Sequence, residues 1–183
     1  MIDYRKQVLS EISKSLSAID STQLWTMVDL VCCSGRIFCD GLGRSALAMR
    51  GFAMRLMQLG FQCYMVGETT TPALEENDLL LICTASGTSP VLLYHAQLAE
   101  KQGGKVALIT GNMESPVIKL ADKVILIPAS NKDSIESERF SVQPMGSLFE
   151  QTSQLLCDIL ALEIMESLGI STDDMRRRHA NIE

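Results

Sequence analysis

The sequence lacks an excess of positive charge, a long apolar run and any recognisable metal-ligand spacing, and each absence excludes a class of function. Sixteen Lys and Arg stand against 22 Asp and Glu, a net charge of −6, and no long basic run offsets it. A duplex-binding surface has no electrostatic source, so no nucleic acid partner is expected. The opening MIDYRKQVLSEI mixes charge with apolar residues, and no later segment is long enough to span a bilayer. No membrane partner is expected, and the chain is expected in the cytoplasm. There are only two histidines, His95 and His179, in no ligand-like spacing, and no CxxC occurs among six cysteines. No metal is expected.

The 183 residues are 46% apolar and 21% charged, which suits one compact domain with a substantial core. Cys32, Cys33, Cys39, Cys63, Cys83 and Cys157 sit mostly in apolar runs such as RIFC, FQCYMV and LLLIC, and are expected to be buried and reduced. Residues 1–34 read as two helices. Val8, Ile12, Leu16 and Ile19 recur at helical spacing, then Ser21 reads as a cap before Leu24, Trp25, Val28 and Val31. Residues 35–129 alternate strand, loop and helix. RIFCD leads through GLGRS into a helix with Leu47, Phe52, Leu56 and Leu59 toward a core, and FQCYMV, DLLLICT, KVALIT and KVILIPA supply four more strands. Five strands alternating with helices predict an α/β fold, a parallel sheet covered on both faces. A polar loop is predicted at 131–143. A long helix follows from near Pro144 to Leu168, apolar on two stripes, Leu148, Leu155, Ile159 and Leu162 on one and Phe149, Leu156, Leu160 and Ile164 on the other. Two apolar stripes predict an oligomer contact in addition to the helix's own sheet. Residues 144–183 thus comprise this helix and a polar tail.

In a doubly wound sheet, ligands bind beyond the carboxyl ends of strands, where helix N-termini attract anions. Two loops have that place. Gly41-Leu42-Gly43-Arg44-Ser45 brings glycines and a hydroxyl to a helix start, and Thr84-Ala85-Ser86-Gly87-Thr88-Ser89 gathers four hydroxyls around one glycine. The second run can surround a phosphate with donors, or serve as a plain Ser/Thr/Gly turn with a cap. The first also matches GxGxxA, with Ala46 in last place and Glu68 where a ribose-binding acid would stand, which leaves a nicotinamide dinucleotide as an alternative ligand. Glu150 has two readings. Ser147 and Glu150 have the spacing of a capping box, while a carboxylate beside helix N-termini could also take a proton from carbon next to a carbonyl. His179, after three arginines, reads either as an exposed cationic helix end or as a catalytic group. His95 reads as a helix-face residue.

The strings GLGRSALAMRGFAMRLMQLGFQCYMVGETTTPALEENDLLL, ASGTS, QPMGSLFEQ and RHANIE resemble the 6-phospho-3-hexuloisomerases, members of the sugar isomerase (SIS) domain group, from about Gly41 to Glu183. The resemblance implies a three-layer αβα SIS domain over residues 1–183, a homotetramer, and interconversion of arabino-hex-3-ulose 6-phosphate with fructose 6-phosphate. It implies a sugar phosphate as the small-molecule partner and no metal or nucleotide cofactor. By the matching motifs, Gly43, Ser45 and Thr84 through Ser89 would bind substrate phosphate, Glu150 would move the proton, and His179 would reach a site, in its own or a neighbouring subunit. The loop that usually reads SGSGET in this family is TASGTS here. If the second position needs a positive φ, Ala85 strains it by about 1 kcal/mol. The alternatives are an isomerase of another sugar phosphate and a non-catalytic sugar-phosphate sensor; the negative charge, the lack of a helix-turn-helix segment and the presence of Glu150 argue against the sensor.

Overall fold

The computed structural model describes residues 3–129 and 141–182. Of the predicted polar loop, 131–140 lie outside the described residues and 141–143 are irregular. Helix α1 (Tyr4–Ser17) starts where Asp3 accepts from the Arg5 N–H at 3.2 Å, and α2 (Ser21–Cys33) where Asp20 accepts from the Thr22 N–H at 2.7 Å. A carboxylate before the first turn pairs an otherwise orphaned amide and meets the positive end of the helix dipole. Asp20, not Ser21, is therefore the cap, and Ser21 is already helical.

The chain then runs through β1 (Arg36–Gly41), α3 (Gly43–Leu59), β2 (Gln62–Met65), β3 (Leu79–Thr84), α4 (Pro90–Lys101), β4 (Lys105–Thr110), a 3-10 helix (Pro116–Leu120), β5 (Lys123–Leu126), α5 (Ser147–Leu168) and α6 (Thr172–Arg177). The strands form one parallel five-stranded sheet in the order β2-β1-β3-β4-β5. Alternate residues serve opposite faces. Cys39, Leu81 and Ala107 stand side by side and pack under α2, α3 and α5 through Met27, Phe52, Leu56, Phe149 and Leu156. Phe38, Leu80 and Leu108 turn the other way, onto α4 and the 3-10 helix through Leu92, Ala96 and Val117. Both faces being covered is why these strands read as unbroken apolar runs. Each fully buried Leu or Phe contributes roughly 1.5–3 kcal/mol relative to exposure.

Connections leave β1 toward β2 on one side and β3 lies on the other, so the order reverses between β1 and β3. The glycine loop after β1 and the hydroxyl loop after β3 open together at that crevice, the place where open sheets take ligands.

Several surface expectations are corrected. Leu47, expected toward the core, is 64% exposed, and Trp25, on the apolar period of α2, is 61% exposed. The core face of α3 is set by Ala48, Met49, Phe52 and Leu56, and Leu47 stands one residue, about 100°, off it. On α5, Phe149, Leu156, Leu160 and Ile164 are buried, whereas Leu155 and Leu162 are exposed on a face that nothing among the described residues covers. All six cysteines are free, but Cys33, the last residue of α2, is exposed rather than buried. The polar tail holds a short helix, α6, whose Ser171 and Asp174 form a capping box. No helix among the described residues is long and apolar enough to cross a membrane.

Candidate active site

A cavity of about 240 Å³ lies at the crevice, walled by Leu42, Ser45, Thr84, Ala85, Ser86, Ser89, Met145, Gly146 and Glu150, with Cys83 and Leu92 beneath. Three helices begin on this wall. Leu42, Ser89 and Gly146 are the N-caps of α3, α4 and α5, and none of the three lends a side-chain hydrogen bond to the first turn. The free N–H groups and dipoles of three helices therefore converge on one cavity, which favours a bound anion.

The hydroxyl loop is held in shape from within and behind. Thr84 Oγ1 accepts from the Gly87 N–H at 3.2 Å, the Ser86 and Thr88 hydroxyls pair at 3.0 Å, and the Asn112 side-chain amide donates to the Ser86 carbonyl at 3.0 Å. Gly87 has φ +62, and a Cβ there would fall 2.4 Å from both Cβ and Oγ of Ser115. Glycine is required on both counts. Gly43, φ +58, likewise makes the left-handed turn into α3, with open space around it. Ala85 lies outside the left-handed region, because Asn77 and Met145 are the non-glycine residues of positive φ among those described. The anticipated strain at Ala85 is absent.

Glu150 enters the cavity from the first turn of α5. The capping-box reading is overturned: Gly146 caps α5, Ser147 is already helical, and the Glu150 carboxylate instead pairs through Oε2 with Arg44 Nε at 2.8 Å. Its other oxygen, Oε1, would be 3.8 Å from a Cβ added at Gly146, so it lies along the cavity wall. One oxygen is engaged by a cation, and the second has no hydrogen-bond partner among the described residues. The carboxylate is 21% exposed, sheltered but not sealed. Cys83 is no competitor: burial pushes its thiol up to about 12, against hydrogen bonds with Ser153 and Ser45 that pull the other way. At neutral pH it stays a thiol, not a nucleophile.

The structure thus brings Ser45, Thr84, Ala85, Ser86, Ser89 and Glu150 to one cavity, with Gly43, Gly87 and Thr88 shaping its loops. It does not bring His179. Within one chain that residue lies past the end of α6, in a different depression with Arg55, Gln58, Leu162 and Met175. Glu68, the ribose-binding acid of the dinucleotide alternative, pairs with Arg50 on the surface. His95 is more than a helix-face residue. Its Nδ1 lies 2.7 Å from Oδ2 of buried Asp40, whose Oδ1 accepts from the Gly41 N–H at 2.7 Å, so the pair ties α4 to the glycine loop. Among the described residues, no group of three His, Cys, Asp or Glu is placed to hold a metal ion.

The sequence model of the SIS domain matches residues 30–166, a span from α2 to α5 that includes both loops and Glu150. The chain belongs to the SIS domain family. Among related SIS proteins, the 3-hexulose-6-phosphate isomerase of Bacillus subtilis (strain 168) is 40% identical over 99% of this chain and 98% of its own. That of Mycobacterium gastri is 35% identical, over 96% and 88%. A solved structure from Methanococcus jannaschii, described as inferring a molecular function of 3-hexulose-6-phosphate isomerase, superposes with a TM-score of 0.86 at 31% identity, covering the whole of both chains. The similarity spans the SIS fold from end to end.

Sequence reasoning missed two wall residues of this SIS domain, Met145 and Gly146, and named Leu42 and Arg44 only as members of the glycine loop, without the bond of Arg44 to the carboxylate. A signal for Gly146 was present, since a glycine just before a helix that offers no capping side chain leaves its amides open. Nothing in the spacing joins Arg44 to Glu150, which lie on different helices.

Proposed function

We propose that this protein is a 3-hexulose-6-phosphate isomerase, interconverting arabino-hex-3-ulose 6-phosphate and fructose 6-phosphate. One observation carries the reading: among the described residues a single carboxylate, Glu150, stands on the wall of a cavity onto which three helix N-termini without side-chain caps open. The near-complete coverage by isomerases of that name supports the choice of substrate.

The reaction moves a carbonyl from carbon 3 to carbon 2. Glu150 takes the proton from carbon 2 and the electrons of that C–H bond form the C2–C3 double bond of the 2,3-enediol as the carbon 3 oxygen gains a proton. The carbon 2 hydroxyl then gives up its proton as its carbonyl forms, and Glu150 returns its proton to carbon 3. Carbon 2 is oxidised as carbon 3 is reduced, so no external oxidant enters the balance. One carboxylate between the two carbons can serve both steps. The hydroxyls of Ser45, Thr84, Ser86, Thr88 and Ser89, with the helix amides, hold the phosphate, and that remote binding supplies orientation at the reacting carbons. The same dipoles stabilise negative charge on the enediolate oxygen.

His179 serves the cavity of a neighbouring copy in this scheme, within a homotetramer, and the uncovered Leu47, Leu155 and Leu162 supply apolar area for such a contact. The enzyme works in the cytoplasm, where its six free thiols stay reduced. The test is fructose 6-phosphate in deuterated water, followed by NMR at carbons 1, 2 and 3. Wild type should form the 3-ketose and exchange the transferred hydrogen, and Glu150→Gln should do neither. Binding without exchange or product in wild type would instead make the protein a sugar-phosphate sensor.

A further inference from the structure

A second carboxylate, remote from the cavity, holds the segment that leads into it. Glu11 lies on α1 and is not among the residues of the cavity wall. Its Oε2 accepts from the Ser141 hydroxyl at 2.6 Å and the Gln143 side-chain amide at 3.3 Å, and its Oε1 accepts from the Val142 N–H at 3.1 Å. The Ser141 hydroxyl in turn accepts from the Gln143 N–H at 3.0 Å. Three successive residues are thus bound to one side chain some 130 positions earlier in the chain. Burial pushes the Glu11 carboxyl up, but the hydrogen bonds from Ser141, Val142, Gln143 and Gln7 outweigh it and hold it below its ordinary 4.5. At neutral pH it is ionised and accepts with the strength of a charge-assisted bond.

The held residues run directly into the cavity wall. Residues 141–146 form neither helix nor strand, and Met145 stands at φ 56, a left-handed conformation that a non-glycine residue keeps only where its surroundings impose it. Met145 and Gly146 line the cavity, and the Glu150 N–H donates to the Gly146 carbonyl at 3.0 Å. We infer that Glu11 is a positioning residue for the isomerisation: by fixing 141–143 on α1 it sets where Met145, Gly146 and Glu150 stand against the substrate. The consequence for turnover rests on the isomerase reading; the geometry does not. Glu11 is not needed to dock α1 itself, which is also held by the Ser15 hydroxyl on the Pro128 carbonyl at 2.9 Å and by Leu16 on the core.

The experiment compares Glu11→Ala, Glu11→Gln and Ser141→Ala with wild type in turnover, in inorganic phosphate binding and in hydrogen exchange of 141–150. Because a misplacement of about 1 Å can cost on the order of a hundred-fold, Glu11→Ala should lower kcat by about ten-fold or more. Phosphate affinity should stay within about two-fold, since most phosphate donors lie on the α3 and α4 loops. Exchange should rise in 141–147. Glu11→Gln, which keeps an acceptor for Val142, should recover part of kcat, and Ser141→Ala should add little to Glu11→Ala, as coupled partners do. Unchanged kcat, or unchanged exchange in 141–147, would overturn the inference. Should Glu11→Ala not fold, Glu11→Gln and Ser141→Ala decide by the same readouts. A wild type that turns over no ketose phosphate defeats the isomerase reading, while exchange still decides whether Glu11 holds the segment.

Discussion

The two ends of the sheet use the same chemical parts to opposite effect. At the amino end, carboxylates are closed off by donors. Asp78 accepts from the Arg36 N–H and Nε at 3.1 Å each, from Arg36 Nη2 at 2.6 Å and from the Glu75 N–H at 2.8 Å, while Asp122 accepts from the Val106 N–H at 2.9 Å and Lys105 Nζ at 3.1 Å. At the carboxyl end, donors are left open around Leu42, Ser89 and Gly146, and the buried Ser115 hydroxyl has no partner among the described residues. Buried polar groups cost free energy unless paired, so the closed end stabilises and the open end is set up to be completed by a ligand.

The sharpest way to break this division is to remove one carboxylate from each end. Glu150→Gln should lower kcat about a hundred- to ten-thousand-fold, the range for a general base, with little change in Tm. Asp78→Ala should do the reverse. It removes the acceptor of the Arg36 and Glu75 N–H groups as well as the carboxylate beside the Arg36 guanidinium, so Tm should fall by several degrees while the folded fraction keeps its kcat. Thermal melts and initial rates on both variants check this, and a Tm loss in Glu150→Gln equal to that of Asp78→Ala would erase the distinction. Acid adds a second axis. Burial raises the Asp78 carboxyl but the hydrogen bonds and charge of Arg36 and the Glu75 N–H outweigh it, holding it below its ordinary 3.8. A depressed carboxylate contributes stability that is present above its unfolded value and is lost as pH falls through the folded one. Wild-type Tm should therefore drop on the acid side of 3.8, and Asp78→Asn should flatten that part of the profile.

The closed end and the open end were not equally legible in the sequence. The strands were plain because LLLIC and KVALIT are apolar on both faces, and both loops were plain because glycine and hydroxyls gather directly after strands. Glu150 was ambiguous by spacing, since a carboxylate three residues after Ser147 suits a capping box as well as catalysis, and α5 in fact starts from Gly146, one residue before that spacing requires. Its bond to Arg44 and the hold of Glu11 on 141–143 depend on how separate helices pack, which no local pattern records. Helix α6 buries none of its residues, so no apolar period announced it. Leu47 misled for the opposite reason: its apolar side chain fits the helical pattern but faces outward.

Within the open end, Gly87 and Ala85 sharpen what openness requires. Gly87→Ala places a methyl group 2.4 Å from Ser115 Cβ and Oγ at φ +62. The backbone cost alone is about 1–2 kcal/mol, and the loop must move off Ser115, so KM for the sugar phosphate should rise about ten-fold. Adding Ser115→Gly should return part of that rise by removing the overlap while leaving the φ cost. The smallest effect belongs to Ala85→Gly, which restores the glycine of the family's usual loop. Ala85 has no positive φ to relieve, and its carbonyl already accepts from the Gly111 N–H at 3.2 Å, so the glycine gains no new conformation in the folded loop. It gains freedom in the unfolded chain, which lowers stability by about 0.4–1 kcal/mol while KM stays within about two-fold. Steady-state rates beside a melting curve check both halves. A several-fold fall in KM on Ala85→Gly would mean that the alanine, rather than the three helix ends, limits how the loop closes on phosphate.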